Sequence, residues 1–401
     1  IFSGEKLINI LYNQRFIILK NSIMLPDTYA EIDLSQLIKN FKGIRSNIKK
    51  TTKSIKHVCP IVKANAYGHG ISEISKILAE SGTDYFGTAN YRESIFLKTH
   101  LKKINHGSIP ILCLGVLPQE RESIQEIIGN GIEVGISSFG QAEMLNNVAT
   151  SVNTSVNVHI KIDTGMNRIG LDIIEAYDSI LKIKNFSHLK IKGIYSHLAT
   201  SEIPDDNFTA GQINKFIEIV REVEQQTGEI KFKHIQNTGG IINNPSLKFF
   251  NMIRPGIILY GYSPTEDLQL PDRIQPVMTF KTKVKFIKKV KQGDTISYGR
   301  SYKVKHTSTI ASLPVGYGDG YPRLLSNKGQ VFIRKKLFPV VGNVCMDWIM
   351  IDVTGSKVRL EDTVEIFGKN YPVHKISKKL GTIPYEILCM IAPRVERVYI
   401  N

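Results

Sequence analysis

Between residues 55 and 260 the chain alternates short apolar runs with amphipathic stretches, and few architectures can hold such an order. The apolar runs fall at 55–63, 83–89, 109–115, 132–137, 157–163, 191–197, 233–237 and 252–260. Helical spacing occupies 71–80, 119–128, 141–148, 173–184 and 212–226. A strand followed by a helix and then another strand calls for parallel pairing with crossover helices, which is an α/β plan. Eight units predict a closed (β/α)8 barrel of the TIM type, with an open parallel sheet as the alternative. A further helix over 34–48, capped by Asp33 or Ser35, precedes the first run.

Beyond Tyr262 the pattern changes. Residues 263–276 contain Pro264, Pro271 and Pro276 among polar residues and read as a linker. From 277 onward the residues alternate as strands, which predicts a mostly β C-terminal domain. The expected division is an N-terminal extension of unassigned role at 1–26, a barrel at 27–262, the linker at 263–276 and the β domain at 277–401. A chain of 401 residues is long enough for two such domains.

The formal net charge of +16 raises the question of nucleic acid. Its lysines and arginines are dispersed through amphipathic elements and form no basic tail, so the expectation is anionic small ligands and no nucleic acid. Cys59, Cys113, Cys345 and Cys389 lie far apart, with no C-x-x-C pair and no metal-ligand spacing, as reduced thiols in a cytoplasmic protein would. No apolar run approaches the roughly 18–20 residues that cross a bilayer, and Glu5, Lys6, Arg15 and Lys20 interrupt the opening segment, so neither a membrane span nor a signal peptide is expected.

In a barrel, functional groups gather just past the strand ends. The first apolar run stops on Lys63, within Pro60-Ile-Val-Lys-Ala-Asn-Ala-Tyr-Gly-His-Gly70. An ammonium at the end of a buried strand loses hydration, which lowers its pKa and prepares it for Schiff-base chemistry, pyridoxal 5'-phosphate (PLP) included. The alternative is a lysine that snorkels to solvent. Tyr67 follows it; later strand ends carry Arg168, His197, Thr238 with Gly239-Gly240, and Arg254 with Gly256-Ile257. The glycine-containing loops could offer N–H groups to a phosphate, with the Tyr67 and Thr238 hydroxyls beside them. Arg168 and Arg254 suit a carboxylate or phenolate and a ring nitrogen respectively. His197 is either structural or catalytic, and Asp163 and Asp347 are caps or ion-pair partners. G-x-G-x-x-G and G-x-x-x-x-G-K-[ST] are both absent, which argues against dinucleotides and nucleoside triphosphates.

Eight motifs, in one order and spacing, resemble the alanine racemase family: VKANAYGHG (62–70), HIKIDTGMNRIG (159–170), YSHLATSE (195–202), QNTGG (236–240), IRPGIILYG (253–261), SYGRSY (297–302), PVGYGDGYPR (314–323) and VGNVCMDWIMIDV (341–353). The resemblance runs from Thr28 almost to the C-terminus. It implies a PLP-dependent homodimer with shared active sites that interconverts L- and D-alanine and supplies D-alanine for peptidoglycan. By that resemblance Lys63 bonds the cofactor and serves as one base, and Tyr298 from the other subunit is the second. Arg254 faces the ring nitrogen with His197 behind it, and Arg168 takes the phenolate and the substrate carboxylate. Tyr67, Thr238, Gly256, Ile257 and Tyr385 hold the phosphate; Met346 and Asp347 meet the substrate carboxylate, and Tyr317 with Tyr385 narrows the mouth. Lys161 matches a position carbamylated in some relatives. Thr238 stands where serine is frequent and keeps the hydroxyl. The alternatives are a racemase of broader amino-acid preference, a decarboxylase on the same two-domain plan, disfavoured by the absence of an E-P-G-R signature, and a PLP-binding carrier without turnover.

Overall fold

The computed structural model describes residues 17–18, 25–245 and 247–401, so the expectation for residues 1–26 falls almost wholly outside the described residues. Eight short parallel strands, His57–Val58, Phe86–Thr88, Ile111–Cys113, Glu133–Ile136, Val156–Lys161, Leu189–Tyr195, Phe232–His234 and Met252–Ile253, form a closed ring. The middle six are one parallel ladder. The ring closes because Met252 and Ile253 pair with His57 and Val58, Ile61 bridges Gly87, and the N–H groups of Asn251 and Arg254 donate to the carbonyls of Lys233 in the seventh strand and of Gln236 just past it. Closure removes both sheet edges and decides for the barrel over the open sheet.

Several strands are shorter than their apolar runs. The first run, 55–63, gives only two ladder residues before the chain coils away at Lys63, and the last, 252–260, ends in a 3₁₀ turn at Ile257–Tyr260. The helix Tyr91–Lys103 lies in a stretch with no clear apolar stripe, because its buried side includes Glu93, Ser94 and Lys98. Lys98 satisfies its ammonium on the Gly107 and Ile109 carbonyls, so the polar side chain is buried with partners.

The second unit is a seven-stranded sheet in the order Ile17–Ile18, Glu396–Ile400, Tyr29–Asp33, Met278–Lys283, Thr363–Phe367, Gln330–Ile333, Lys336–Pro339. A three-stranded sheet, Phe286–Val290, Ser308–Leu313 and Ile349–Asp352, accompanies it. Tyr29–Asp33 precedes the barrel in sequence yet pairs with Met278–Lys283 and Glu396–Ile400. Its alternating burial suits a sheet with one packed face.

The last strand reaches back to the barrel. Arg397, 2% exposed, donates to the Gly68 carbonyl at 2.9 Å and to the carbonyls of Ile391, Ala392 and Val395. Tyr399 donates its hydroxyl to His69 O at 3.1 Å. Together they clamp the turn that follows Lys63. Gly70 sits at φ 96°, and a Cβ there would overlap the Tyr399 hydroxyl. Gly70→Ala is therefore expected to destabilise the protein by about 2 kcal/mol or more, seen as a lowered melting temperature that Tyr399→Phe recovers only partly, since the positive φ remains.

Candidate active site

Lys63 is followed by four residues in the left-handed region, Ala64, Asn65, Ala66 and Tyr67, with φ between 52° and 55°, before Gly68 at 79°. For non-glycine residues this costs roughly 1–2 kcal/mol each, so the turn must be held from outside. Glu93, buried in the helix Tyr91–Lys103, accepts from Ala64 N at 2.7 Å and Ala89 N at 3.3 Å. Asn65 Oδ1 accepts from Ile71 N at 2.8 Å and starts the helix Ile71–Glu80. This coil turns Lys63 into the barrel mouth and places Tyr67, four residues on, in the same cavity.

That cavity, about 300 Å³, brings together Lys63, Lys161, Arg168 and Arg254, and among the described residues no carboxylate lines it. Lys63 is held below its usual pKa by burial and then by the Arg168 guanidinium. Lys161 is lowered to about 8 by burial and by Arg168 and Arg254. Like charges crowded into a dehydrated space demand an anionic occupant.

The floor supplies a place for one. Thr238 Oγ1 accepts from Gly256 N at 3.3 Å and Ile258 N at 3.5 Å. A Cβ on Gly256 would lie 2.9 Å from Tyr67 Oη and 3.6 Å from Thr238 Oγ1, so glycine leaves open the space where these hydroxyls and the Gly256–Ile258 N–H groups converge. Burial, then Tyr385, raises the Tyr67 pKa well above the ordinary value, so its hydroxyl remains a donor. Tyr385 comes from the C-terminal helix Pro384–Cys389, and its ring lies 5.8 Å from that of Tyr67. The donor set, neutral hydroxyls and backbone N–H groups beside cations, fits a phosphate. Lys63 then stands as the amine for an aldehyde, so the residues present fit PLP.

Arg254, 3% exposed, forms one wall. Its guanidinium donates to His234 Nδ1 at 2.6 Å, Ser196 O at 2.6 Å and Ile235 O at 3.1 Å, while His197 Nδ1 stands at 3.4 Å. The nearer imidazole, His234, escapes the sequence reading although it lies in KHIQNTGG, facing the barrel interior two residues before Gln236. Arg168 projects from a loop tied at Asp163, whose carboxylate accepts from Gly165, Asn167 and Arg168 N–H groups at 2.9, 3.1 and 3.1 Å. Burial alone would raise the Asp163 pKa, but those N–H groups prevail and hold it low.

The other residues expected from the β domain lie elsewhere. Tyr298, 75% exposed, lines a separate hollow with Ser297 and Cys345. Tyr317 and Met346 are also exposed, and Asp347 pairs with Arg394 at 2.8 Å. The loops that carry them interlock: Asn343 donates to Tyr298 O at 2.7 Å, Tyr317 N to Cys345 O at 3.0 Å and Gly318 N to Met346 O at 2.9 Å. Among the described residues no helix is long and apolar enough to cross a membrane, and no group of three or more His, Cys, Asp or Glu is placed to hold a metal ion.

The family models for the alanine racemase N-terminal domain and C-terminal domain match residues 32–264 and 277–399. The chain is 39% identical over 382 residues to the alanine racemase of Methanococcus maripaludis, covering 93% of this chain and 98% of that protein. Among solved structures, alanine racemase of Clostridium difficile 630 superposes with a TM-score of 0.86 at 35% identity, over 94% of this chain and 97% of the other. Alanine racemase from Bartonella henselae, with covalently bound pyridoxal phosphate, gives 0.84 at 29% identity, over 94% and 100%.

Proposed function

The chain belongs to the alanine racemase family of PLP-dependent isomerases, and we propose that it interconverts L- and D-alanine with two acid/base groups, Lys63 and Tyr298 of the partner subunit. Supporting this is the single cavity in which Lys63, Arg168 and Arg254 meet the hydroxyls of Tyr67 and Thr238, with no carboxylate among the described residues that line it. PLP bound there supplies an electron sink that acidifies the Cα proton of an amino acid.

Racemisation removes that proton from one face and returns it on the other, so two groups on opposite sides are required. Lys63, whose ammonium is destabilised by burial and by Arg168, is neutral more readily than an exposed lysine and takes the proton of the D-isomer. Tyr298 of the partner subunit handles the L-isomer. Arg168 anchors the substrate carboxylate and the cofactor phenolate. Tyr67, Thr238, Gly256, Ile257 and Tyr385 hold the phosphate. Arg254 would face the ring nitrogen, where a guanidinium gives up no proton; His197 would brace it.

A homodimer follows from the same division of labour. Tyr298, Tyr317, Met346 and Trp348 form an exposed apolar cluster on interlocked loops, the kind of patch that marks an interface. A twofold axis that lays this cluster over the other subunit's cavity completes both sites at once. There Met346 offers its backbone N–H, with Asp347 alongside, to the substrate carboxylate, and Tyr317 narrows the mouth. The product would feed peptidoglycan synthesis from the cytoplasm.

Chiral chromatography of the protein with PLP, incubated with L-alanine, L-serine, L-lysine, L-arginine and L-ornithine in turn, tests the substrate. D-alanine is expected to dominate. D-isomers of larger residues, amines, or no product would each overturn the assignment.

A further inference from the structure

Behind Arg254 the barrel interior holds a file of polar side chains for which the reaction above has no use. His234 Nε2 lies 2.9 Å from His159 Nδ1, and His159 Nε2 lies 3.2 Å from Glu133 Oε2. Glu133, 4% exposed, also receives Lys192 Nζ, Tyr85 Oη at 3.2 Å and Asn157 Nδ2 at 3.3 Å. Both histidines are fully buried. Room for the file is built in: a Cβ on Gly193 would collide with His159 Nδ1.

The direction of every bond in the file can be deduced. Arginine has donors only, so His234 Nδ1 accepts from Arg254 and its proton sits on Nε2. That proton can go only to His159 Nδ1, which leaves the His159 proton on Nε2, pointing at the Glu133 carboxylate. All three links therefore run one way, from guanidinium to carboxylate. Burial lowers the pKa of both imidazoles, which keeps them neutral. Burial works against ionisation of Glu133, yet the bonds from His159 and Lys192 outweigh it and hold the carboxyl at about 2.

Arg254 needs such a connection. Its own acceptors are carbonyls and imidazole nitrogens, all neutral; burial lowers its pKa, and it in turn helps to lower that of Lys161. A buried cation without an anion is costly. A carboxylate acting through an imidazole raises the basicity of the far nitrogen and fixes the ring; two imidazoles in series transmit the same effect further. We propose that Glu133 is a positioning residue that acts through His159 and His234 to keep Arg254 charged and aimed at the cofactor ring. It rests on the assignment of Arg254 to that ring.

Nitrogen NMR of the histidine-labelled protein without cofactor tests the file itself, with signals assigned by His159→Gln and His234→Gln. Both rings are expected to be neutral with the proton on Nε2; an Nδ1–H form or an imidazolium at either position would overturn the directions. In the loaded enzyme, Glu133→Gln is expected to lower kcat about 10- to 100-fold with KM little changed and to lower the pH midpoint of the bound cofactor's visible absorption. Lys192→Met removes the opposite charge and is expected to move that midpoint the other way; Glu133→Asp restores part of kcat. A purely structural Glu133 would shift the midpoint alike in both variants or in neither, and that outcome overturns the proposal. Because the NMR result needs no turnover, failure of the racemase assignment and failure of the file remain distinguishable.

Discussion

Lys63→Ala is expected to end covalent capture of PLP and to lower D-alanine formation by about 10⁴-fold or more, since under the proposed scheme one substitution removes both the amine that bonds the cofactor and one of the two bases. The fold should survive. The left-handed turn is held through backbone N–H groups of Ala64 and Asn65 on Glu93 and through carbonyls of Gly68 and His69 on Arg397 and Tyr399, none of which uses the lysine side chain. Removing one of four crowded cations relieves repulsion from Arg168, so the melting temperature without cofactor should equal or exceed that of the parent. Borohydride treatment followed by intact-mass measurement gives the direct readout: the parent gains one reduced cofactor and the variant gains none. A variant that keeps the adduct would show that another amine, Lys161 being the nearest candidate, is the point of attachment.

The barrel was legible because its code is local: apolar runs and amphipathic stretches alternate, and each run ends on a residue that interrupts it. Lys63, Arg168, His197 and Arg254 stood out for that reason. What stayed hidden depends on closure. Glu133, His159 and His234 face the barrel interior from three different strands, and in sequence each reads as a polar lapse in an apolar run; only the ring brings them into line with Arg254. The coil at Ala64–Tyr67 was also out of reach, because alanine and tyrosine have no preference for positive φ and the forces that impose it come from Glu93, Arg397 and Tyr399. By position Tyr29–Asp33 reads with the barrel, whereas its pairing partners lie some 250 and 370 residues away. Roles for Tyr298, Met346 and Tyr317 came from the resemblance alone, and a single chain leaves those residues outside the cavity.

Tyr298→Phe is expected to leave PLP binding intact and to reduce racemisation about 10²- to 10⁴-fold, the range for loss of a general acid/base. The proposed cofactor contacts come from the barrel and Tyr385 of the same chain, so they would not depend on Tyr298. Tyr298 is largely exposed and is fixed through its backbone carbonyl on Asn343, so loss of the hydroxyl should change stability by less than about 0.5 kcal/mol. The sharper experiment mixes two inactive proteins. A dimer of one Lys63→Ala chain with one Tyr298→Phe chain has one site lacking both groups and one site with Lys63 and Tyr298 intact, provided that the tyrosine crosses between subunits. Random reassociation of equal amounts yields about half mixed dimers, each with one complete site, and so about one quarter of parental activity. If Tyr298 served the cavity of its own chain, each chain in the mixture would still lack one group and no activity would return. Full activity of Tyr298→Phe by itself would remove the phenol from the two-base scheme and leave Lys63 in need of a different partner.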